Sequence, residues 1–318
     1  MKTVCFSLDY ELRWGVRHLY RGDFLKYKNE LDGADDAAKL LCDYLDKNQI
    51  PSSWATVGAL ALSDWDEFFD HCSIDELNLR SNFIADKSEF KKENEKYYFS
   101  PDTVTQIASS DFAELASHTF THLFCCEPNV TEQMFISDNS TANNIFSSKF
   151  NHKIKSLVFP RNQENFLNCF PQLGLESYRA NEVGDSSESN TLLGNTFLKK
   201  VQRFSSSINP LLARSSSFNP AYTRASLFLR LNLPSPLWRL HLARIKNELR
   251  NLSDGECFHI WCHPHNLGAD TSIKLKRVSE IMDIIFSYRD RDELQILSMN
   301  EIHKKAISHK TTLSKLGT

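Results

Sequence analysis

The stretch FAELASHTFTH (residues 112–122) decides how the rest of this chain is read. Its first half has the length and apolar content of a buried strand, and its second half sets His118 and His122 four positions apart. A strand running straight into ionisable side chains is what parallel α/β barrels show at their C-terminal face, where reacting groups sit on strand ends. Alone, a His-x-x-x-His pair does not make a metal site, since two of eleven histidines can share that spacing by chance. The reading depends on whether other strands end in the same way.

They alternate with helices along the chain. TVCFSLD (3–9) is a short strand ending in acid, followed by a helix in 35–50 with Asp35 or Asp36 as its cap and by the strand SSWATVGAL (52–60). After a charge-rich stretch come a helix around 100–110, the strand at 112–118, and a helix over 131–150. Next are the strand IKSLVFP (154–160), a helix in 163–174 and the strand LESYRA (175–180). Beyond a long interruption the spacing predicts a helix over 236–252, the strand ECFHIWCH (256–263), a helix over 272–290, the strand ELQILSM (293–299) and a C-terminal helix. About seven strand–helix units argue for a parallel sheet closed on itself. The expectation is one domain over residues 1–318, a distorted (β/α)7 TIM-like barrel with insertions at about 65–100 and 181–236.

Length and composition agree. A chain of 318 residues with 41% hydrophobic and 11% aromatic side chains can bury a large core, and its net charge of −3 offers no global field for nucleic acid. The opening MKTVCFSLDYE reaches acid too soon for a secretory signal, and no window approaches about 18 uninterrupted apolar residues. The eight scattered cysteines then read as reduced thiols of a cytoplasmic protein rather than a disulfide framework. Residues 199–250 carry ten Lys/Arg against the single acid Glu248, which leaves open either a solvated face or a patch for an anionic ligand or membrane surface. Oligomeric state is not legible.

Four strand ends carry ionisable groups. The first has Asp9 and Glu11, which alternation in an extended segment points the same way; the others have His118 and His122, Arg161 in VFPRNQ, and His263 in FHIWCHPHN. Two neutral imidazoles and one carboxylate leave open positions on a divalent cation, a second carboxylate can serve as base, a histidine as acid, and an arginine can orient a carboxylate. Position 119 is Thr, so the HExxH zinc-protease arrangement is excluded. Cys125 and Cys126 read as packed thiols, because no distant Cys pair completes a structural zinc site.

In order, SLDYE, SHTFTH, VFPRNQ and FHIWCHP resemble the motifs of the polysaccharide deacetylase superfamily, the carbohydrate esterases of family four. The resemblance spans nearly the whole chain apart from the insertions. It implies a distorted seven-stranded barrel that removes N-acetyl, sometimes O-acetyl, groups from sugars with one divalent metal ion, usually Zn2+. Carried over by motif, Asp9 is the base, Glu11, His118 and His122 are the metal ligands, His263 is the acid and Arg161 orients the base. The first motif departs from the usual pattern in having Glu11 as the ligand, and RNQ lacks the family's aromatic residue after the arginine. An amide N–H near Asn162 or Gln163 is then a candidate for holding the oxyanion. Trp14, Trp261, His265 and Asn162 are candidate substrate contacts, and the expected partner is a carbohydrate. Two alternatives stay open: a hydrolase of small cyclic amides from the wider superfamily, and a catalytically lapsed barrel that binds glycan.

Overall fold

The computed structural model describes residues 1–17, 27–81, 90–185, 197–291 and 293–316, so parts of both expected insertions, 82–89 and 186–196, lie outside the described residues. Among the described residues ten strands form one sheet. They are β1 (Lys2–Tyr10), β2 (Ser52–Thr56), β3 (Ala113–Ser117), β4 (Ser156–Val158), β5 (Ser177–Ala180), β6 (Ser216–Ser217), β7 (Tyr222–Arg224), β8 (Leu227–Phe228), β9 (Glu256–Cys262) and β10 (Leu294–Ile296). From β9 the order runs through β1, β2, β3, β4 and β5 to β7, all in parallel pairs.

The ring is nearly closed, and one short segment spans its two edges. β7 pairs with β5, the Ala225 N–H donates to Ala180 O, and two residues later the chain turns onto β9, where the Ser226 N–H donates to His259 O. The result is the expected distorted TIM-like barrel, with β10 pairing beside the start of β1 and β6 antiparallel on β9. The closing strands fall inside the stretch 181–236 that reads as an insertion. Their ladders, Tyr-Thr-Arg and Leu-Phe, are two or three residues long, too short for a period-2 signal to mark them.

β1 explains why the first strand reads as a nearly continuous apolar run: it is flanked on both sides, and all residues from Thr3 to Tyr10 are buried. Helix Ala34–Lys47 buries Ala37, Ala38, Leu41 and Leu45 in the same core as Val4, Phe6, Leu8 and Tyr10. Neither Asp35 nor Asp36 caps that helix; Gly33 stands at the cap. Asp35 lies in the first turn and accepts hydrogen bonds from the hydroxyls of Tyr10 (2.7 Å) and Thr103 (2.6 Å). Helix Glu132–Phe150 begins at Thr131, whose side chain accepts from the Met134 N–H, and ends at Asn151 in the left-handed region, φ 52°. The helix expected over 163–174 is instead broken, because Phe166 has φ 56° and only the short turns 167–169 and 170–173 form before Gly174.

The described part of the first insertion builds core rather than loop. Trp65, Phe68, Tyr98 and Phe99 gather around Trp14 at the top of β1. No helix among the described residues is long and apolar enough to cross a membrane.

Candidate active site

Every group named on the strand ends converges on the C-terminal mouth of the barrel except Trp14. Glu11 follows β1 directly, and Leu12 behind it takes φ 43°, turning the chain into a short helix that brings Gly15 against the carboxylate. A Cβ on Gly15 would stand 1.9 Å from Glu11 Oε1, so glycine leaves the room in which that carboxylate lies.

The two histidines are held by a strained loop. Thr119 and His122 both have positive φ, 62° and 59°, a costly conformation for a β-branched and a ring side chain. What fixes it is Asp138, fully buried on helix Glu132–Phe150: its carboxylate accepts from the Phe120 N–H (2.6 Å), the Thr121 N–H (3.3 Å) and the Thr121 hydroxyl (2.7 Å). The His118 N–H is tied to Thr56 O at the end of β2. Strain at this position fits a loop whose backbone is spent on aiming side chains.

Glu11 Oε2 lies 3.1 Å from His118 Nε2 and 3.0 Å from His122 Nε2. His118 Nδ1 is 2.8 Å from Val158 O, which can only accept. A neutral His118 therefore carries its proton on Nδ1 and turns the bare Nε2 lone pair toward a carboxylate oxygen. Lone pair against lone pair is repulsive, so the arrangement asks for a cation between them. Three ligand atoms, one each from Glu11, His118 and His122, lie within 4.8 Å of one another. This donor set, two imidazoles and a carboxylate with further directions open, suits a divalent ion such as zinc. Burial favours the neutral imidazole of His122, the form that ligates. Burial would raise the Glu11 carboxyl, but positive charge on the surrounding rings of His263, His122 and His118 outweighs it and holds the group well below the usual carboxylate range, the attraction that a cation among neutral rings would supply instead.

Asp9 lies beside this group with a partner of its own. Burial would raise its carboxyl, yet the Arg179 guanidinium lowers it by a bidentate pair, Nη1 to Oδ1 at 2.6 Å and Nη2 to Oδ2 at 2.7 Å. Arg179 stands on β5, its guanidinium 4.1 Å from the centroid of the Trp261 ring, and it also donates to Asn162 Oδ1 (3.0 Å) and Ser7 Oγ (3.1 Å). Ser7 in turn meets His259 Nε2 at 2.8 Å, and burial with the nearby Arg179 holds His259 down to about 3, a neutral ring.

Arg179 is the residue that the motif reading passes over, and it stands where Arg161 was expected. Arg161 follows Pro160 with φ 55°, which swings its side chain across the Phe124 ring at 5.4 Å and into the cleft, away from Asp9. A lone arginine inside the apolar strand LESYRA was the available signal. Trp14 is likewise corrected: it is 1% exposed, packed among Trp65, Phe68 and Tyr98, and its indole N–H donates to Tyr98 O, so it has no face for a sugar.

His263 sits at the rim, 23% exposed, with Nε2 3.5 Å from Glu11 Oε1 and 3.8 Å from Asp9 Oδ2. His265 is buried beside it, Nδ1 3.7 Å from Glu11 Oε1, and burial with the neighbouring His263 lowers it to about 4. The mouth opens on two sides of His263. A cleft of about 910 Å³ carries Glu11, His263 and His265 at its base, and a smaller cavity of about 240 Å³ is lined by Asn162, Trp261 and His263. Cys125 and Cys126 stay out: their thiols contact Leu123 O and Glu164 O.

No family model and no curated protein matches the sequence. Among solved structures, a protein from Mycobacterium smegmatis assigned as a polysaccharide deacetylase aligns over 97% of this chain and 91% of its own, with TM-score 0.50 and 13% identity. The fold is that of the polysaccharide deacetylases. Other structures with this fold include the peptidoglycan deacetylase PdaC from Bacillus subtilis, at 8% identity over 100% of this chain and 98% of its own, TM-score 0.45. BA3943, a pseudoenzyme of carbohydrate esterase family four from Bacillus anthracis, aligns at 9% identity over 95% of this chain and 65% of its own, TM-score 0.43. At such identities the deacetylase likeness is one of fold, and fold does not assign chemistry.

Proposed function

We propose that this protein is a metal-dependent hydrolase that removes an N-acetyl, or O-acetyl, group from an amino sugar of a bacterial surface glycan or its precursor. The observation that carries the reading is the buried Glu11–His118–His122 group with Asp9–Arg179 and His263 beside it, open to one cleft. A cleft of about 910 Å³ leaves more room than a small cyclic amide fills, which favours a glycan substrate over the alternative reading. Glu11, His118 and His122 would hold the cation, most simply zinc. When bound, it supplies Lewis acidity to the acetyl carbonyl and to a water.

The chain's own groups do the proton work. Asp9, kept ionised by Arg179, takes a proton from the attacking water at one of its carboxylate oxygens. Arg179 is fixed by Ser7, Asn162 and the Trp261 face, so the base keeps its orientation. Addition of water to the carbonyl and cleavage of the C–N bond yield acetate and an amine, and the amine leaves with a proton from His263 Nε2. Trp261, Asn162 and Phe228 wall the small cavity beside His263 and restrict water there. All eight cysteines are free thiols, which supports a cytoplasmic setting for the reaction.

The test joins elemental analysis of the purified protein to an acetate-release screen over N-acetylated amino-sugar glycans, with ring opening of ureides as the comparison. About one equivalent of divalent metal with acetate release is the expected result. Absence of bound metal would favour a lapsed, glycan-binding barrel, and ring opening without acetate would favour the cyclic-amide reading.

A further inference from the structure

The cleft above Glu11 collects cations. Its walls carry Arg161, Lys200, Arg230, Lys274 and Arg277, against two acids, Glu30 and Asp270, besides Glu11 at the base. Elsewhere cations pair with acids, as in Lys39–Asp35, Lys149–Glu67 and Lys155–Glu176. Among the described residues none of Lys200, Arg230, Lys274 or Arg277 makes an ion pair within 4.0 Å. Arg277 donates to Leu231 O and lies on the Trp238 ring, while Arg230 donates to Ser207 Oγ and lies between Phe204 and Phe228. Both guanidiniums are thus positioned by apolar rings and neutral oxygens, with their charge left over.

Lys274 is the decisive case. It is 7% exposed on helix Thr271–Arg289 and lines the cleft, and among the described residues its ammonium makes no hydrogen bond or ion pair. Its stem is buried and its ammonium, partly desolvated, meets the cleft with no acid beside it, a charge that an anion in the cleft would compensate. Burial lowers its pKa, and the more distant Glu30 and Asp270 only partly offset this.

We propose that this cleft is a phosphate subsite, and that the substrate is an amino sugar joined through a phosphate or diphosphate to its carrier. Five cations suit a group with two or more negative charges better than a single sugar carboxylate, and guanidiniums meet phosphate oxygens in bidentate fashion. About 910 Å³ holds a sugar with a diphosphate attached, placing the acetyl group at Glu11 and His263 and the phosphates between Lys274 and Arg230. The carrier end would emerge past Lys200. That residue lies on helix Phe197–Ile208, which exposes Phe197 (78%), Leu198 (77%) and Val201 (47%). An apolar face flanked by lysines at the mouth fits a lipid carrier held in a membrane interface, with a nucleotide as the other source of the same diphosphate.

The sugar end of this proposal rests on the hydrolase reading above, but the subsite is testable by binding alone. Titration calorimetry of the full chain with inorganic pyrophosphate should show binding that His118→Ala leaves in place and that Lys274→Met weakens by about tenfold or more. Lys274→Met keeps the buried stem and removes the charge, so its urea midpoint should not fall; Arg230→Gln gives a second reading of the same loss. Equal affinity in Lys274→Met, or loss of binding in His118→Ala, overturns the subsite. If no sugar is deacetylated while pyrophosphate binding still depends on Lys274, the hydrolase reading fails and the subsite stands. Competition by a short polyprenyl diphosphate that Phe197→Ser and Leu198→Ser weaken assigns a lipid carrier. Stronger competition by a nucleoside diphosphate assigns a nucleotide, and competition by neither overturns the proposal.

Discussion

Glu11 and Glu248 are both buried, and they are treated in opposite ways. Glu248, fully enclosed on helix Ser235–Asn251, accepts from the Arg214 and Ser215 backbone N–H groups and from the Arg244 guanidinium. Its carboxylate is closed by the protein and ties the segment before β6 to the helix behind it. Glu11, 5% exposed, has no guanidinium and faces two imidazole nitrogens, one of which turns a lone pair toward it. A buried charge that serves the fold completes its own hydrogen bonding. One that serves a ligand leaves that completion to something outside the chain.

Breaking the two in parallel should separate them. The largest effect is expected from His118→Ala and Asp9→Asn, each lowering acetate release by about 10²–10⁴-fold, with only His118→Ala also losing the metal in elemental analysis. Retained activity in both variants would remove Glu11 and its neighbours from the chemistry. Glu248→Ala should do the reverse. It strands Arg244 and two backbone N–H groups in the core, costing about 3–5 kcal/mol in urea unfolding while activity per folded molecule and metal content hold. A drop in metal content there would mean that the two regions are not independent.

Acid should act on buried histidines of the scaffold. His241 is held down to about 4 by burial, and its Nδ1 is 2.7 Å from Ser207 O; His259 is held to about 3. Both folded values lie below the unfolded value of about 6.5, so below that pH the unfolded chain binds protons that the folded chain refuses. Stability should therefore fall as pH drops from about 6.5 toward 4, with a limiting slope near 2.7 kcal/mol per pH unit for the two groups. Unfolding midpoints of the metal-free protein across that window measure it, and His241→Gln should remove about half the slope. A flat profile would mean that these rings do not stay neutral.

The barrel was legible because its long strands are buried on both faces and its long helices carry one apolar face, as in TVCFSLD and 35–50. Its closure was not. β7 and β8 hold their places through two or three pairings and through Ala225 and Ser226, which carry no pattern a sequence can show. At the site, residues that follow strands were visible by position. Arg179 was hidden because a strand interior reads as core, and only the folded ring reveals that β5 faces Asp9. Asp138 was equally hidden: a polar residue inside a helix looks solvated until its carboxylate meets the backbone of 120–121. Trp14 shows the opposite error, since nearness to a motif in sequence put it beside the site when its partners are Trp65 and Tyr98.

The cation itself should separate the two glutamates. If Glu11 is completed by a metal that the unfolded chain does not hold, adding zinc at about 100 times its dissociation constant should stabilise the protein by about 2.7 kcal/mol. The shift should vanish in His122→Ala and persist in a Glu248 variant still able to fold; thermal unfolding with and without a chelator reads it. The smallest effect is expected at Cys126, half-buried and only four residues beyond His122. Its sulfur lies 3.7 Å from Glu164 O, and its backbone N–H donates to Gln163 Oε1, so it helps seat the loop without pointing into the ligand group. Cys126→Ala should leave the metal content unchanged and move stability by about 1 kcal/mol or less. A loss of metal in that variant would place a thiol among the ligands, and Glu11 would then no longer be the carboxylate that the cation completes.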